Sequence, residues 1–420
     1  MEWTTFILPQ AQIAHHSGES AIRAIAFVEA SARMGGVQHS TLSLAAHLDR
    51  TRWEPIVISP EEGDLTRACR EKGIPMLVVR LPKFYSTSFL IGATRRLPNP
   101  AAWVWNLFSV LSAAWRIKEI FSKLHPNLII TKGLFSHLYG GLAARWVGIP
   151  CIWHVQDLVS ERFGAVYQKF FSSMANLFPK YIIVDGCQIA RQMPASVRDR
   201  VSVLYNAVDT EVFHPGIDNS LVRRELHIPP DAIVIGNVAR LTPWKGQHIL
   251  LEAFARIADQ LPNLYLLLVG SSLFCSGRYE RQLHSRASQL GLNGRIIFSG
   301  YREDLPQVLA AMNIFVYTSL EKDTSPLSML SAMAMGLPIV ASNIKGLTEL
   351  LTNNREGLLV PVGDVCALAA TMKDALCDEK LRQRLGQAAR TRCENDFSLD
   401  RYILDIERVL ELCLATECRI

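Results

Sequence analysis

The 420-residue chain has no C-x-x-C pair, and its nine cysteines are scattered and odd in number. That excludes a disulfide framework and a ribbon-type zinc site, and it points to a reducing compartment. No uninterrupted apolar run reaches the roughly 18 residues that a membrane-spanning helix needs. The nearest stretch, Ala101 to Ala114, is broken by Asn106 and two serines and reads as an amphipathic or buried helix. The first 20 residues have no basic region followed by an apolar run, so no secretory leader is expected. Zinc-finger spacing and aromatic RNA-binding signatures are also missing, which ranks nucleic acid last among partners.

With 49% apolar and 20% charged residues, the chain has the composition of an ordinary globular protein long enough for two or three domains. Charge is uneven. Residues 1–200 hold 22 Lys+Arg against 14 Asp+Glu, and the remainder holds 22 against 25. A basic first half is either a solvated face or a surface for an anionic partner, such as a membrane or a phosphorylated acceptor.

Strand-like and helix-like segments alternate twice over lengths of about 190 residues, which predicts two doubly wound α/β domains facing a central cleft. In the first, a buried strand from Ile22 to Ala30 runs into Arg33-Met-Gly-Gly-Val-Gln38 and a helix. A diglycine there lets backbone approach a phosphate, although glycine turns also serve only to fold the chain. Lys83 to Pro100 reads as a long loop with basic and aromatic residues, either mobile surface or a contact for an acceptor or a membrane. The strand Pro150 to Val155 ends in His154-Val-Gln156-Asp157, polar groups at a carboxyl edge where open α/β sheets bind ligands. Asn206 to Pro215 reads as a linker into the second domain.

Two stretches of the second half carry the sharpest chemistry. Strand Ile233 to Val238 is followed by Arg240-Leu-Thr-Pro-Trp-Lys245-Gly246, two cations just before a helix, suited to neutralising a diphosphate. Glu321 to Gly346 reads as loop, helix, turn and strand. Ser325 is expected to cap a helix with Pro326 in its first position, leaving free backbone N–H groups at the helix start as a phosphate seat. Asp323 lies just ahead, an acceptor for hydroxyls. A helix cap feeding a core strand is the plainer alternative.

Together with Phe298-Ser-Gly-Tyr-Arg302, Gly346-Leu-Thr-Glu349 and Glu356-Gly-Leu-Leu-Val-Pro361, these pieces follow one another in a specific order. In this the chain resembles the retaining glycosyltransferases of the GT-B superfamily, in particular family 4, over about Arg23 to Leu412. The resemblance implies an acceptor domain over residues 1–205, a nucleotide-sugar domain over 206–395, and a C-terminal helix over 396–420 packing back towards the first. It implies that Arg240 and Lys245 hold the diphosphate and that Gly300, Tyr301 and Arg302 border the base. Asp323 would hold the sugar, with Ser325, Leu327, Ser328 and Ser331 around the donor. Gly35 and Gly36 would close on the diphosphate, and His154, Gln156 and Asp157 would face acceptor or sugar.

No metal or cofactor is expected. The resemblance implies a nucleotide-sugar donor, a UDP-sugar first and a GDP-sugar second. The expected acceptor is a glycan, a lipid-linked glycan or a small molecule, and the expected location is cytoplasmic, either free or peripheral at the inner face of the cell membrane. The sequence departs from the family pattern at Ser331, where a second Glu usually grips the ribose. Losing that charged hydrogen bond costs roughly 1.5–3 kcal/mol. Gln156-Asp157 also stands where a His-Asp pair is common. Ser331 supports the alternative of a GT-B-fold binding or regulatory protein without transfer activity.

Overall fold

The computed structural model describes residues 22–86, 88–91, 95–157, 165–272, 277–292, 294–321 and 323–415. The expectation of no leader, drawn from the first 20 residues, lies outside these, as does the expectation of helix over residues 416–420. The chain forms two units. The first takes residues 22–185, 189–204 and 403–415, and the second takes 186–188 and 205–402.

In the first unit, near-continuous apolar runs make parallel strands buried on both faces by helices. The strands are β1 (Arg23–Glu29), β2 (Trp53–Ser59), β3 (Met76–Val78), β4 (Ser88–Ile91), β5 (Arg95–Pro98), β6 (Leu128–Lys132), β7 (Cys151–Val155), β8 (Tyr181–Val184) and β9 (Val201–Val203). Seven of them form one sheet in the order β3-β2-β1-β6-β7-β8-β9, all parallel. The order reverses between β1 and β6, which makes that gap the switch point. Residues 83–100, read from the sequence as loop, instead carry β4 and β5 as an antiparallel pair.

The helix Pro100–Leu124 follows, opened by the Asn99 side chain, which accepts from the Ala102 N–H at 3.1 Å, and by Pro100. The end of the last helix, Leu399–Ala415, anchors to this unit through charge. Glu407 and Glu411 take Arg52 at 2.8 and 2.7 Å, and Glu411 also takes Arg23 at 2.6 Å.

The second unit contains β10 (Ile233–Val238), β11 (Leu264–Val269), β12 (Ile296–Gly300), β13 (Ile314–Tyr317), β14 (Ile339–Ser342) and β15 (Leu358–Val360). Its parallel sheet runs β12-β11-β10-β13-β14-β15, the 3-2-1-4-5-6 order of a dinucleotide-binding fold. The sheet reverses between β10 and β13. The C-terminal helical block consists of three helices, two of them opened by aspartates. Asp364 accepts from Ala367 N–H and Asp378 from Leu381 N–H, each at 2.9 Å. Among the described residues no helix is long and apolar enough to cross a membrane.

Candidate active site

The segments after β10 and β13 meet at the second sheet's switch point, where open α/β sheets take ligands. After β10 the chain makes a single short turn, Pro243–Lys245, and Gly246 then turns left-handed at φ 69° into the helix Gln247–Ala258. A Cβ on Gly246 would land 2.1 Å from the Thr318 carbonyl oxygen, so only glycine lets the two segments touch. Thr318 Oγ1 in turn donates to the Lys245 carbonyl at 3.0 Å.

This contact delivers Lys245 to the residues after β13. Its Nζ donates to both carboxylate oxygens of Asp323, at 2.8 and 2.7 Å, and to the Tyr317 hydroxyl. Tyr317 and Ser319 both donate to the same Asp323 oxygen. The ammonium also lies 4.3 Å from the Trp244 ring centre and 4.9 Å from that of Tyr317. Lysine and aspartate are only 9% and 12% exposed, so the pair is a charged cluster sheltered from water. Burial and the neighbouring Asp323 charge push the Tyr317 hydroxyl well above its ordinary pKa, which keeps it a neutral donor. Arg240 is exposed at the mouth, its guanidinium 5.8 Å from the Trp244 ring centre.

The helix beyond Asp323 runs from Leu327 to Ala334. Pro326, not Ser325, occupies its cap position, and no side chain caps it. The expectation of a serine cap is therefore corrected. Ser325 is drawn the other way, its Oγ accepting from Asn206 N–H at 3.0 Å and its carbonyl from Asn206 Nδ2 at 2.9 Å. The half-buried Leu327 and Ser328 hold the first two helical positions, where amides have no partner within the helix. Ser331 is buried, 4% exposed, one turn further in.

Gly346 seals the Asp323 loop from behind. A Cβ there would sit 1.8 Å from the Asp323 carbonyl oxygen. Gly300 ends β12 in a left-handed turn at φ 70°, followed by the exposed Tyr301. The Arg302 guanidinium is committed to Asp304 at 2.7 and 2.6 Å and to Glu225. These carboxylates hold its pKa above the ordinary arginine range. Arg302 thus braces this turn against Asp304 and Glu225.

The carboxyl edge of the first unit's sheet has its own polar row. Glu29, Lys132 and His154 stand opposite one another in register on β1, β6 and β7, and Asp185 lies just past β8. His154 Nε2–H donates to Asp185 at 2.7 Å, Gln156 donates to the other Asp185 oxygen at 2.7 Å, and His154 Nδ1 is buried with no partner. Burial, reinforced by the Lys132 charge, pulls the His154 pKa down, so its ring is neutral.

Glu29 accepts from Thr41 and, at 3.0 Å, from Gln38, while Lys132 donates to Ser40 at 3.1 Å. All three partners stand on the helix Gly36–His47, so the row grips the first turns of the helix that the diglycine opens. Gly35 is its cap, and Gly36 is exposed with open space where a Cβ would go.

The structure thus gathers Arg240, Lys245, Asp323, Leu327 and Ser328 at one sheet edge, and His154, Gln156 and Asp157 at the edge of the other. Sequence reasoning missed Tyr317, Ser319, Asp185, Glu29 and Lys132. The signal was present for the last two, each a charged residue closing an apolar strand. Among the described residues, no group of three or more His, Cys, Asp or Glu side chains is placed to hold a metal ion.

Two doubly wound parallel-sheet units, the second with a cation pair and a helix N-terminus at its switch point, define a protein of the GT-B glycosyltransferase type. The comparisons agree. Residues 34–212 match the model for "Glycosyltransferase Family 4", and residues 218–392 match that for "Glycosyl transferases group 1". The chain belongs to this family of glycosyltransferases.

It is 32% identical over 176 residues to the lipopolysaccharide core biosynthesis glycosyltransferase LpsE of Rhizobium meliloti, covering 42% of this chain and about half, 49%, of that one. It is 23% identical over 393 residues to the UDP-Gal:alpha-D-GlcNAc-diphosphoundecaprenol alpha-1,3-galactosyltransferase of Escherichia coli, covering 89% of this chain and 93% of that one. Among solved structures, Anabaena Alr3699/HepE in complex with UDP-glucose superposes with a TM-score of 0.79 at 23% identity, over 93% of this chain and 99% of that one.

Proposed function

We propose that the protein moves a hexose-type sugar from a nucleotide-sugar donor to an acceptor hydroxyl, with retention and without a metal or other cofactor, in polysaccharide or glycolipid biosynthesis. The observation that carries this reading is the cluster of Lys245, Arg240 and the helix N-terminus at Leu327 around the second sheet's switch point. Such an arrangement stabilises negative charge as it grows on a leaving diphosphate.

In the proposed step, the anomeric C–O bond to the diphosphate breaks with oxocarbenium character. A bond forms from the acceptor oxygen on the same face, and the acceptor's proton passes to a phosphate oxygen of the leaving nucleotide. Asp323, held by Tyr317 and Ser319, offers its carboxylate to sugar hydroxyls. Tyr301 and the backbone at Gly300 border the base.

The first unit is proposed to receive the acceptor, with Gln156 and Asp157 at its sheet edge and His154 orienting Asp185 behind them. The Escherichia coli relative is named for UDP-Gal and a lipid-diphosphate acceptor, which supports UDP-sugars as the first donors to test and a lipid-linked glycan as the first acceptor.

A thermal-shift and hydrolysis panel of UDP-, GDP-, ADP- and dTDP-sugars tests this directly. One donor is expected to stabilise the fold and to be slowly hydrolysed, with the released sugar first appearing as the anomer it had in the donor. No stabilisation by any donor at millimolar concentration would favour a binding or regulatory protein that kept the fold, with Ser331 as the reason.

A further inference from the structure

We propose that the helix Pro100–Leu124 is a membrane-binding element that lies in the plane of an anionic lipid surface and inserts its outer face among the lipids. One side of this helix is already seated in its own unit, where Ala102, Asn106, Ser109, Ala113, Ile117 and Phe121 are buried. An amphipathic surface helix would put polar residues on the other side. Here that side carries Val104, Trp105, Leu107, Phe108, Leu111 and Trp115, all exposed, with Leu107 at 60% and Phe108 at 66%. Val104, Phe108, Leu111 and Trp115 follow the i, i+4, i+7, i+11 spacing and form one continuous stripe. A helix seated on one side and carrying large exposed apolar side chains over the first four turns of the other presents a hydrophobic surface to its surroundings.

The occupant follows from charge. From Arg80 to Lys123 the sequence holds seven basic residues, Arg80, Lys83, Arg95, Arg96, Arg116, Lys118 and Lys123, against the single acid Glu119. Arg80, Lys83 and Arg116 are exposed, and Lys83 is tied beside the stripe, its carbonyl accepting from Trp105 Nε1 at 3.1 Å. A second copy of the chain docking on this face would bring like charges together. Anionic headgroups would neutralise them while acyl chains took the stripe, and tryptophan is a side chain that favours the lipid interface. At 25 residues the helix is about 37 Å long, so it offers a line of contact rather than a point.

The inference is independent of the transfer reaction and is tested without donor. The whole protein is floated with vesicles of phosphatidylcholine alone and of phosphatidylcholine with phosphatidylglycerol. It is expected to float only with the second, and less so as salt rises. Phe108→Ser, Leu111→Ser and Trp115→Ser should each cut partitioning by about tenfold, and the triple variant should abolish it, with donor hydrolysis unchanged.

Tryptophan quenching by brominated lipids in the unmodified protein needs no variant and should be strong. The proposal is overturned if the protein stays at the bottom of the gradient with anionic vesicles, if the triple variant floats like the parent, or if no quenching occurs. It is equally overturned if light scattering shows a dimer that the triple variant splits, which would assign the face to a second copy.

Discussion

Lys245 Nζ lies 2.8 and 2.7 Å from the two carboxylate oxygens of Asp323, so the cation suited to a diphosphate already holds the acid suited to a sugar. The two charges are neutralised in advance, and a ligand that takes one must leave the other satisfied. Lys245→Ala and Arg240→Ala are each expected to lower transfer by about 10²–10³-fold, the scale for losing one group that stabilises charge in the transition state.

Asp323→Asn separates the roles. It frees Lys245 from a counter-charge, so the nucleoside diphosphate product should bind about three- to tenfold tighter while transfer falls. Calorimetric titration with the diphosphate, beside a transfer assay, checks both. Weaker diphosphate binding in Asp323→Asn would place this carboxylate on the nucleotide side instead.

Gly346 and Gly36 make a contrasting pair. A Cβ on Gly346 would meet the Asp323 carbonyl oxygen at 1.8 Å, whereas one on Gly36 would meet nothing within 4 Å. Gly346→Ala must push the Asp323 loop aside. It is expected to cost about 1–3 kcal/mol of stability, read by denaturant unfolding, and to lower transfer with it. Gly36→Ala should leave the unfolding midpoint unchanged. A fall in transfer with no fall in stability would show that a ligand needs the space above the diglycine, and full activity in Gly36→Ala would remove the diglycine from the site.

The sheet order was legible because parallel strands buried on both faces are apolar runs, and the alternation with helices leaves few topologies open. The cation pair was legible for the same reason, since Arg240 and Lys245 stand where a strand stops and a helix has not begun. The tertiary partners were not. That Ser325 gives its oxygens to Asn206 rather than to the helix behind it depends on a contact 119 residues away in sequence. Tyr317 reads as the last core residue of an apolar strand, and only the meeting of two loops turns its hydroxyl towards Asp323. The β4–β5 pair fell in a stretch without the alternation that marks a hairpin, so it read as loop.

The row at the first sheet's edge makes stability depend on pH. Burial pushes the Glu29 carboxyl up to about 7 despite the nearby Lys132 charge, and burial pulls Lys132 down to about 8 despite Glu29 and Asp185. Between the ordinary value of 4.5 and about 7 the folded state holds a proton on Glu29 that the unfolded chain releases, so this group lowers stability as pH rises through that window. Lys132 limits the loss because its charge favours the ionised carboxylate.

Lys132→Met removes that help. At pH 5.5 to 6, where Glu29 is mostly neutral, the variant should be close to the parent, since it also relieves a buried ammonium. Towards pH 8 the Glu29 carboxyl, without the Lys132 charge and with only Thr41 and Gln38 for partners, keeps its proton to higher pH than in the parent, so folding goes on losing stability where the parent has levelled off. The gap in unfolding free energy is expected to widen by about 1 kcal/mol across this interval, most of it between about pH 7 and 8. Urea unfolding of both proteins at half-unit pH steps measures it. A gap that stays constant with pH would mean that Lys132 contributes through its packing and its bond to Ser40 alone. The helix that carries the diglycine would then be held without the Glu29 charge.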